Sequence, residues 1–193
     1  MKFFYKDLIL EIPETVYYPR EDSLLLARII EKENLKKKKA LDMGSGSGFL
    51  AMLMAQQDAE VVASDINEDA VKTVKLNAKS NNVKVNAINS DLFENIEDKF
   101  DLIVFNPPYL PEKTLHRDNQ YYGGKTGREV IDKFIKNSGS HLKKGGRILI
   151  VISSITGEKE VIEMFESYDF RAKSVARQKV PWEELIVIEA KKE

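Results

Sequence analysis

A glycine-rich stretch, Asp42-Met43-Gly44-Ser45-Gly46-Ser47-Gly48, follows one short apolar segment and precedes another. Glycine lets the backbone turn tightly and approach a ligand closely, because it has no Cβ. Asp65 and Asp91 come directly after the next two short apolar segments. In a parallel α/β sheet, ligands bind in the crevice at the carboxyl ends of the strands. The spacing therefore predicts a nucleoside site, with Asp65 on the ribose hydroxyls and Asp91 at an adenine edge.

Two cofactor classes fit the glycine-rich stretch. Gly46 to Ala51 matches the dinucleotide pattern G-x-G-x-x-A. Read from Asp42, the stretch instead matches the D-x-G-x-G-x-G loop of enzymes that use S-adenosylmethionine. A carboxylate pointing into the loop would repel a pyrophosphate, but it would attract the ammonium group of S-adenosylmethionine, directly or through water. Asp42 therefore favours S-adenosylmethionine, and we expect no metal.

A second motif, Asn106-Pro107-Pro108-Tyr109, follows a continuous apolar segment. An amide or ring-amino nitrogen is a poor nucleophile because its lone pair is delocalised. The side-chain carbonyl of Asn106 and the backbone carbonyl of Pro107 could each accept one N–H, while Tyr109 offers a flat surface to a planar group. Catalysis by such a turn is mainly orientation. We expect all four residues of the motif to be catalytic.

Together, the two motifs resemble those of the HemK family of protein-glutamine N5-methyltransferases, in its short archaeal and eukaryotic branch. Asn-Pro-Pro-Tyr alone is shared with enzymes that methylate amino groups of adenine and cytosine in DNA. Three further stretches are similar to this branch, and the resemblance spans about residues 16 to 190. They are Tyr18-Pro19-Arg20-Glu21-Asp22-Ser23, Gly123-Gly124-Lys125-Thr126-Gly127-Arg128-Glu129-Val130 and Ser174-Val175-Ala176-Arg177-Gln178.

The resemblance implies a substrate, a cofactor site and partners. The substrate would be the glutamine of the Gly-Gly-Gln motif in a class 1 peptide-chain release factor. A small zinc-binding activator protein could add to an exposed sheet edge, for which Val83 to Ile88 is the candidate. Met1 to Tyr17 is too short for the N-terminal helical domain of bacterial members. We expect cofactor contacts from Ser23, Asp42, Gly44, Gly46, Gly48, Asp65, Ile66, Asp91, Leu92 and Asn106.

Short apolar segments alternate with helical patterns until the final pair of strands, Ala172 to Ala176 and Leu185 to Glu189. Alternation of this kind predicts a Rossmann-like α/β fold. We expect a class I methyltransferase three-layer sandwich with a seven-stranded, mostly parallel sheet and an antiparallel last strand. Asp22 or Ser23 should cap the first helix, and Gly145-Gly146 should form a turn. Residues 1–20 are predicted to be an N-terminal extension and residues 21–193 a single domain.

Composition narrows the functional classes. The 193 residues include no cysteine, which excludes thiolate metal sites and a cysteine nucleophile, and the net charge is −1. Proteins that bind nucleic acid mainly through phosphates are usually basic, so a protein substrate is favoured over DNA or RNA. No apolar run reaches the length of a membrane span. We expect a cytoplasmic enzyme, with a nucleic-acid amino-methyltransferase and a non-catalytic cofactor-binding subunit as alternatives.

A few other residues invite a functional interpretation. Leu110 to Gly127 is the longest stretch without a predicted element and should contact the protein substrate. Trp182 is predicted to pack against the domain or cover an edge. His116 and His141 are interpreted as surface or loop residues, because neither has a second ligand or carboxylate at suitable spacing.

Overall fold

Parallel strands and helices alternate through the middle of the chain in the computed structural model, which describes residues 1–108 and 128–192. The strands are β1 (Lys2–Tyr5), β2 (Leu8–Glu11), β3 (Lys39–Met43), β4 (Glu60–Asp65), β5 (Val85–Asn89), β6 (Phe100–Phe105), β7 (Leu142–Ser153), β8 (Phe170–Val180) and β9 (Glu183–Lys192). The helices are α1 (Glu21–Ile30), α2 (Phe49–Ala55), α3 (Glu68–Ser80), α4 (Glu129–Ser138) and α5 (Glu158–Glu166).

The main sheet has seven strands in the order β5-β4-β3-β6-β7-β9-β8. Strands β5, β4, β3, β6 and β7 pair in parallel, whereas β9 is antiparallel to both of its neighbours. The two residues between β8 and β9 leave room only for a tight turn, so these strands must form a hairpin. The predicted fold class, with its antiparallel last strand, is confirmed, and β5 is an edge strand as expected.

Both faces of the sheet are covered. Along β6, Leu102 and Val104 belong to one hydrophobic cluster and Ile103 and Phe105 to the other, because successive side chains of a strand point to opposite faces. Helices α1, α2 and α3 contribute to the first cluster, and α4 and α5 contribute to the second. This arrangement makes a three-layer sandwich, in which a ligand site can open at the strand ends.

The first residues form a hairpin that the sequence analysis did not predict. Strands β1 and β2 pair in register, and the ring of Phe3 lies 4.9 Å from that of Phe49 at the start of α2. The side-chain amide of Asn77 accepts the N–H of Glu11 at 2.9 Å and donates to its carbonyl at 3.2 Å. Asn81 binds Ile9 in the same way. The hairpin is therefore fixed to α3 and packs into the same core as the rest of the domain.

Several local predictions were wrong. Helix α1 begins at Glu21 with Arg20 at the cap position, so Asp22 and Ser23 lie within its first turn, where their side chains make other contacts. Gly145 and Gly146 lie inside β7, at an irregularity where the partner of β6 shifts from Leu142 to Arg147.

Two side-chain predictions can also be compared with the structure. Trp182, expected to pack against the domain, is 98% exposed at the tip of the β8–β9 hairpin. His141 is partly exposed and stacks on Phe93 with ring centroids 4.4 Å apart. The stretch from Leu110 to Gly127, which includes His116, lies outside the described residues.

Candidate active site

A cavity of about 440 Å³ opens at the carboxyl ends of β3, β4 and β6. Its size suits a nucleoside-sized ligand. Most of the predicted site residues surround it, namely Ser23, Asp42, Gly44, Gly46, Asp65, Ile66, Asp91, Leu92, Asn106, Pro107 and Pro108. Gly48 is not among its lining residues, and Tyr109 lies outside the described residues. The topology thus brings together residues that are up to 85 positions apart in the chain, from Ser23 to Pro108.

The glycine-rich loop is held in a conformation that favours glycine. The φ angles of Gly44, Gly46 and Gly48 are +61°, +50° and +81°. A Cβ on Gly48 would lie 3.0 Å from Met52 and 3.0 Å from Val74, so this glycine allows α2 and α3 to pack closely. Gly44 and Gly46 present backbone to the cavity, whereas the contribution of Gly48 is to helix packing.

Asp42 is buried at the base of the loop. Its Oδ2 accepts the backbone N–H of Ala51 at 2.9 Å, so the carboxyl group caps the first turn of α2. Burial, with a smaller contribution from the nearby Asp65 carboxylate, raises the pKa of Asp42 to about 7 against the opposing effect of the Ala51 hydrogen bond. A cation bound beside Asp42 would favour the ionised form of its carboxyl group. This agrees with the expectation that Asp42 attracts the ammonium group of S-adenosylmethionine.

Asp65 connects the loop to the end of β4. Its carboxylate accepts the N–H of Gly46 at 2.8 Å and that of Asn67 at 2.9 Å. Burial raises the pKa of Asp65, while these backbone donors lower it. Asn67 in turn caps α3 by accepting the N–H of Asp69 at 2.9 Å. Ile66, at the cavity rim, is 70% exposed and offers apolar surface to a ligand.

Asp91 has a partner that the sequence analysis missed. Its Oδ2 lies 2.7 Å from the Nζ of Lys133 in α4. Leu92 follows with a φ of +50°, and the buried hydroxyl of Ser90 donates to its carbonyl at 2.8 Å. No motif marked Lys133, because it lies 42 residues beyond Asp91 on an amphipathic helix and looks like an ordinary surface lysine.

Asn106 and Pro107 follow β6 at the cavity wall. The Nδ2 of Asn106 donates to the Oγ of Ser23 at 3.2 Å, and the Asn106 side chain is partly exposed to the cavity. Pro107 is buried and lies beyond the last residue of β6, so its carbonyl is outside the strand ladder. The arrangement can present two carbonyl oxygens to one NH₂ group.

Tyr17, Asp22 and Ser45 are among the further lining residues that were missed. Tyr17 and Asp22 line the cavity and contact each other, the Tyr17 hydroxyl lying 2.7 Å from Asp22 Oδ2. Within the described residues, the buried Oγ of Ser45 has no hydrogen-bond partner. A buried hydroxyl without a partner is costly and indicates a ligand contact. The position of Ser45 between two glycines could have suggested it, and the family-like stretch from Tyr18 to Ser23 could have suggested Asp22, whereas Tyr17 has no signal of that kind.

No group of three histidine, aspartate or glutamate side chains that could bind a metal occurs within residues 1–108 and 128–192. None of the helices described is long and apolar enough to span a membrane.

Fold and site together define the class of protein. A parallel sheet with a reversed last strand, and a glycine-rich loop at its crevice, are those of a Rossmann-like methyltransferase. The family model described as methyltransferase small domain matches residues 21–179. The chain belongs to this family.

Individual relatives agree with that assignment. A protein of Methanocaldococcus jannaschii, provisionally named a protein N5-glutamine methyltransferase, is 45% identical over 187 residues, covering 94% of each chain. A release factor glutamine methyltransferase of Lactococcus lactis is 33% identical over 167 residues, covering 80% of this chain and 62% of its own length. The resemblance inferred from the motifs is thereby confirmed.

A solved structure shows the same fold over nearly the whole chain. It is the E. cuniculi Mtq2–Trm112 complex, responsible for methylation of the translation termination factor eRF1. The matched chain has a TM-score of 0.78 and 27% identity, with 93% of this chain and 99% of that chain covered.

Proposed function

We propose that this protein transfers a methyl group from S-adenosylmethionine to the side-chain amide nitrogen of a glutamine in a peptide-chain release factor, at its Gly-Gly-Gln motif. The observation that supports this most directly is the position of Asn106 and Pro107 at the wall of a nucleoside-sized cavity. The named activities of the relatives from M. jannaschii and L. lactis agree with it.

The cavity residues fit S-adenosylmethionine. Asp42 would hold the ammonium group, Asp65 the ribose hydroxyls and Ser90 to Leu92 the adenine, with Ile66 covering the ring. The unpartnered Ser45 hydroxyl and the backbone of Gly44 and Gly46, which lines the cavity, would contact the methionine portion. When bound, the cofactor supplies an electrophilic sulfonium methyl group, which bonds to the amide nitrogen as its bond to sulfur breaks, leaving a thioether and releasing one proton.

The protein's own contribution is orientation. The carbonyl oxygens of Asn106 and Pro107 would each accept one N–H of the glutamine amide, which turns the nitrogen lone pair towards the methyl group. Orientation of two reactants is worth a large effective molarity, so no acid or base needs to act before transfer. The proton can leave to water afterwards. Tyr109 would stack on the planar amide, and residues 110 to 127 would contact the factor.

A partner subunit fits the edge of the sheet. Strand β5 pairs only with β4 among the described residues, so one side of Val85–Asn89 offers unpaired backbone groups. An added strand is a common way to cover such an edge. Since the Mtq2 chain was solved with Trm112, we propose that a small activator of that kind, zinc-binding by the family resemblance, binds β5.

Mass spectrometry tests the activity. The release factor is incubated with the enzyme and S-adenosylmethionine, with and without a candidate activator, and the Gly-Gly-Gln peptide is sequenced. We expect a gain of one methylene mass on the glutamine, lost in Asn106→Ala. Asn34→Ala, an exposed asparagine outside the cavity, is the matched control. An unmodified glutamine under both conditions would show that the proposed substrate is wrong.

A further inference from the structure

The amide of Asn106 can face the cavity in two ways, and only one is useful for the proposed reaction. Its oxygen and its NH₂ group lie on opposite sides of the same planar group, and each makes a different kind of hydrogen bond. To accept an N–H from a substrate amide, Asn106 must present its oxygen to the cavity and direct its NH₂ group elsewhere. Something in the protein must therefore fix which way the amide is turned.

A chain of hydrogen bonds leads from Asp22 to Asn106. Asp22 Oδ1 lies 2.5 Å from the backbone nitrogen of Ser23 and 3.2 Å from its Oγ. Ser23 Oγ then lies 3.2 Å from the Nδ2 of Asn106. Asp22 and Ser23 are each only 5% exposed, so water does not readily replace these contacts.

The chemistry of each group gives the chain a direction. A carboxylate can only accept, so the Ser23 hydroxyl must donate its single hydrogen to Asp22. The lone pairs of Ser23 Oγ are then left for Asn106, which must offer its NH₂ side. The Asn106 oxygen consequently points away from Ser23.

Asp22 is itself held in place. The Tyr17 hydroxyl lies 2.9 Å and 2.7 Å from its two carboxylate oxygens. The main-chain N–H of Ser23 occupies Oδ1 as well, so the carboxylate cannot rotate freely. The Asp22 carboxylate is therefore a fixed acceptor in the first turn of α1. The hydrogen bond from Ser23 to Asp22, and through it the one from Asn106 to Ser23, depends on this acceptor.

We propose that Asp22 and Ser23 are positioning residues that fix the orientation of the Asn106 amide, so that its carbonyl oxygen is presented to the substrate nitrogen. The role rests on the proposed function, because only a substrate N–H requires that oxygen. It assigns Asp22 a part in the transfer step through Ser23, without contact with the reacting atoms.

The first test removes each link and restores it conservatively. The measured quantity is the transfer rate to the release factor at saturating S-adenosylmethionine, so that altered cofactor affinity does not enter. Ser23→Ala and Asp22→Ala should each slow transfer about tenfold, the effect of losing one ordinary hydrogen bond. Ser23→Thr should recover most of the rate because it keeps the hydroxyl. Asp22→Asn should also recover most of it, since the Ser23 N–H still requires an oxygen at the Oδ1 position.

A double-mutant cycle distinguishes this role from a general structural one. Once the Ser23 hydroxyl is gone, Asp22 has no route to Asn106, so Asp22→Ala combined with Ser23→Ala should be no slower than Ser23→Ala alone. Ser138→Ala is the matched control: Ser138 is equally buried, but its hydroxyl donates to Ile135 in α4, away from the cavity. Full additivity, wild-type rates in both alanine variants, or a slow Ser23→Thr would each overturn the proposal.

An NMR measurement separates failure of this inference from failure of the proposed function. The side-chain NH₂ signals of Asn106 can be assigned by their loss in Asn106→Asp and followed without any substrate. Asp22→Ala should shift them although Asp22 reaches Asn106 only through Ser23, and Ser138→Ala should not. If wild-type enzyme methylates no release factor while these signals shift as expected, the substrate assignment fails and the orienting chain stands. Unshifted signals in Asp22→Ala would overturn the chain itself.

Discussion

The Nζ of Lys133 lies 2.7 Å from Oδ2 of Asp91, joining α4 to the segment after β5 at the rim of the cavity. The Lys133 ammonium group donates a hydrogen bond to Asp91, which raises the pKa of Lys133. Lys133 also lies 3.6 Å from Glu94, so one ammonium group bridges two carboxylates and offsets their mutual repulsion. A carboxylate anchored in this way is already placed for a ligand before the ligand arrives.

We expect Lys133→Met to weaken binding of S-adenosylmethionine a few-fold while leaving folding stability nearly unchanged. Without the ammonium group, Asp91 and Glu94 repel each other and Asp91 loses its fixed position, but exposed ion pairs add little to stability. Calorimetric titration measures the affinity, and salt should reduce the difference between variant and wild type. Lys159→Met, which removes an exposed i,i+4 pair with Glu163 on α5, is the control. Equal affinity in both variants would contradict the role of Lys133.

The folding stability of the ligand-free protein should fall as pH rises towards neutrality, and Asp42→Asn should abolish part of that fall. The pKa of Asp42 is raised to about 7 by burial. Between its ordinary pKa and about 7, the unfolded chain has released the Asp42 proton while the folded protein still holds it. Folding then takes up a proton, so stability declines as pH increases over this window and levels off above it. Denaturation by urea at a series of pH values, for wild type and variant, measures the difference. Parallel curves would contradict the expectation.

Gly48→Ala should destabilise the protein more than Gly145→Ala. Both glycines have positive φ angles, +81° and +75°, so alanine costs about 1–2 kcal/mol of backbone strain at either position. A Cβ at Gly145 meets nothing within 4 Å, whereas one at Gly48 would lie 3.0 Å from Met52 and from Val74. Crowding of this kind adds about 1–3 kcal/mol. The difference between the two unfolding free energies therefore measures how tightly α2 and α3 pack, and equal losses would show that the helices can move apart.

Asn77→Ala should cost more stability than Asn81→Ala, although both residues bind β2 with the same geometry. Asn77 is 1% exposed and also donates to the carbonyl of Ser47 at 3.0 Å, so its removal leaves buried polar groups unpaired. The expected loss is about 2–4 kcal/mol, against about 1 kcal/mol or less for the more exposed Asn81, whose partners can bind water. Thermal and urea denaturation give both values. A larger effect at Asn81 would contradict the role of burial.

The motifs located the cavity and part of its wall from sequence, because glycine loops and strand-end carboxylates are local patterns with a direct physical meaning. The alternation of apolar segments and helices also sufficed for the sheet and for its reversed last strand. Gly48 shows the limit of such a pattern: it completes the glycine motif, yet its place is between two helices and not at the cavity wall.

Long-range pairings could not be predicted in the same way. Lys133 reaches Asp91, and Ser23 beside Asp22 reaches Asn106, only in the folded chain, and no local pattern in the sequence marks either contact. The N-terminal hairpin was missed for a related reason. Its strands are only four residues each, and the side-chain amides that bind β2 come from α3, far along the chain.

Attachment of that hairpin to α3 has a consequence for folding during synthesis. Residues 1–11 emerge from the ribosome early, but the amides that hold β2 lie 66 and 72 residues further along the chain. Until α3 has emerged, Leu8 and Leu10, which end up fully buried, have no surface to cover them. The nascent chain therefore exposes an apolar segment until α3 has been synthesised. A chaperone that binds exposed apolar segments at the ribosome would protect the chain during this time.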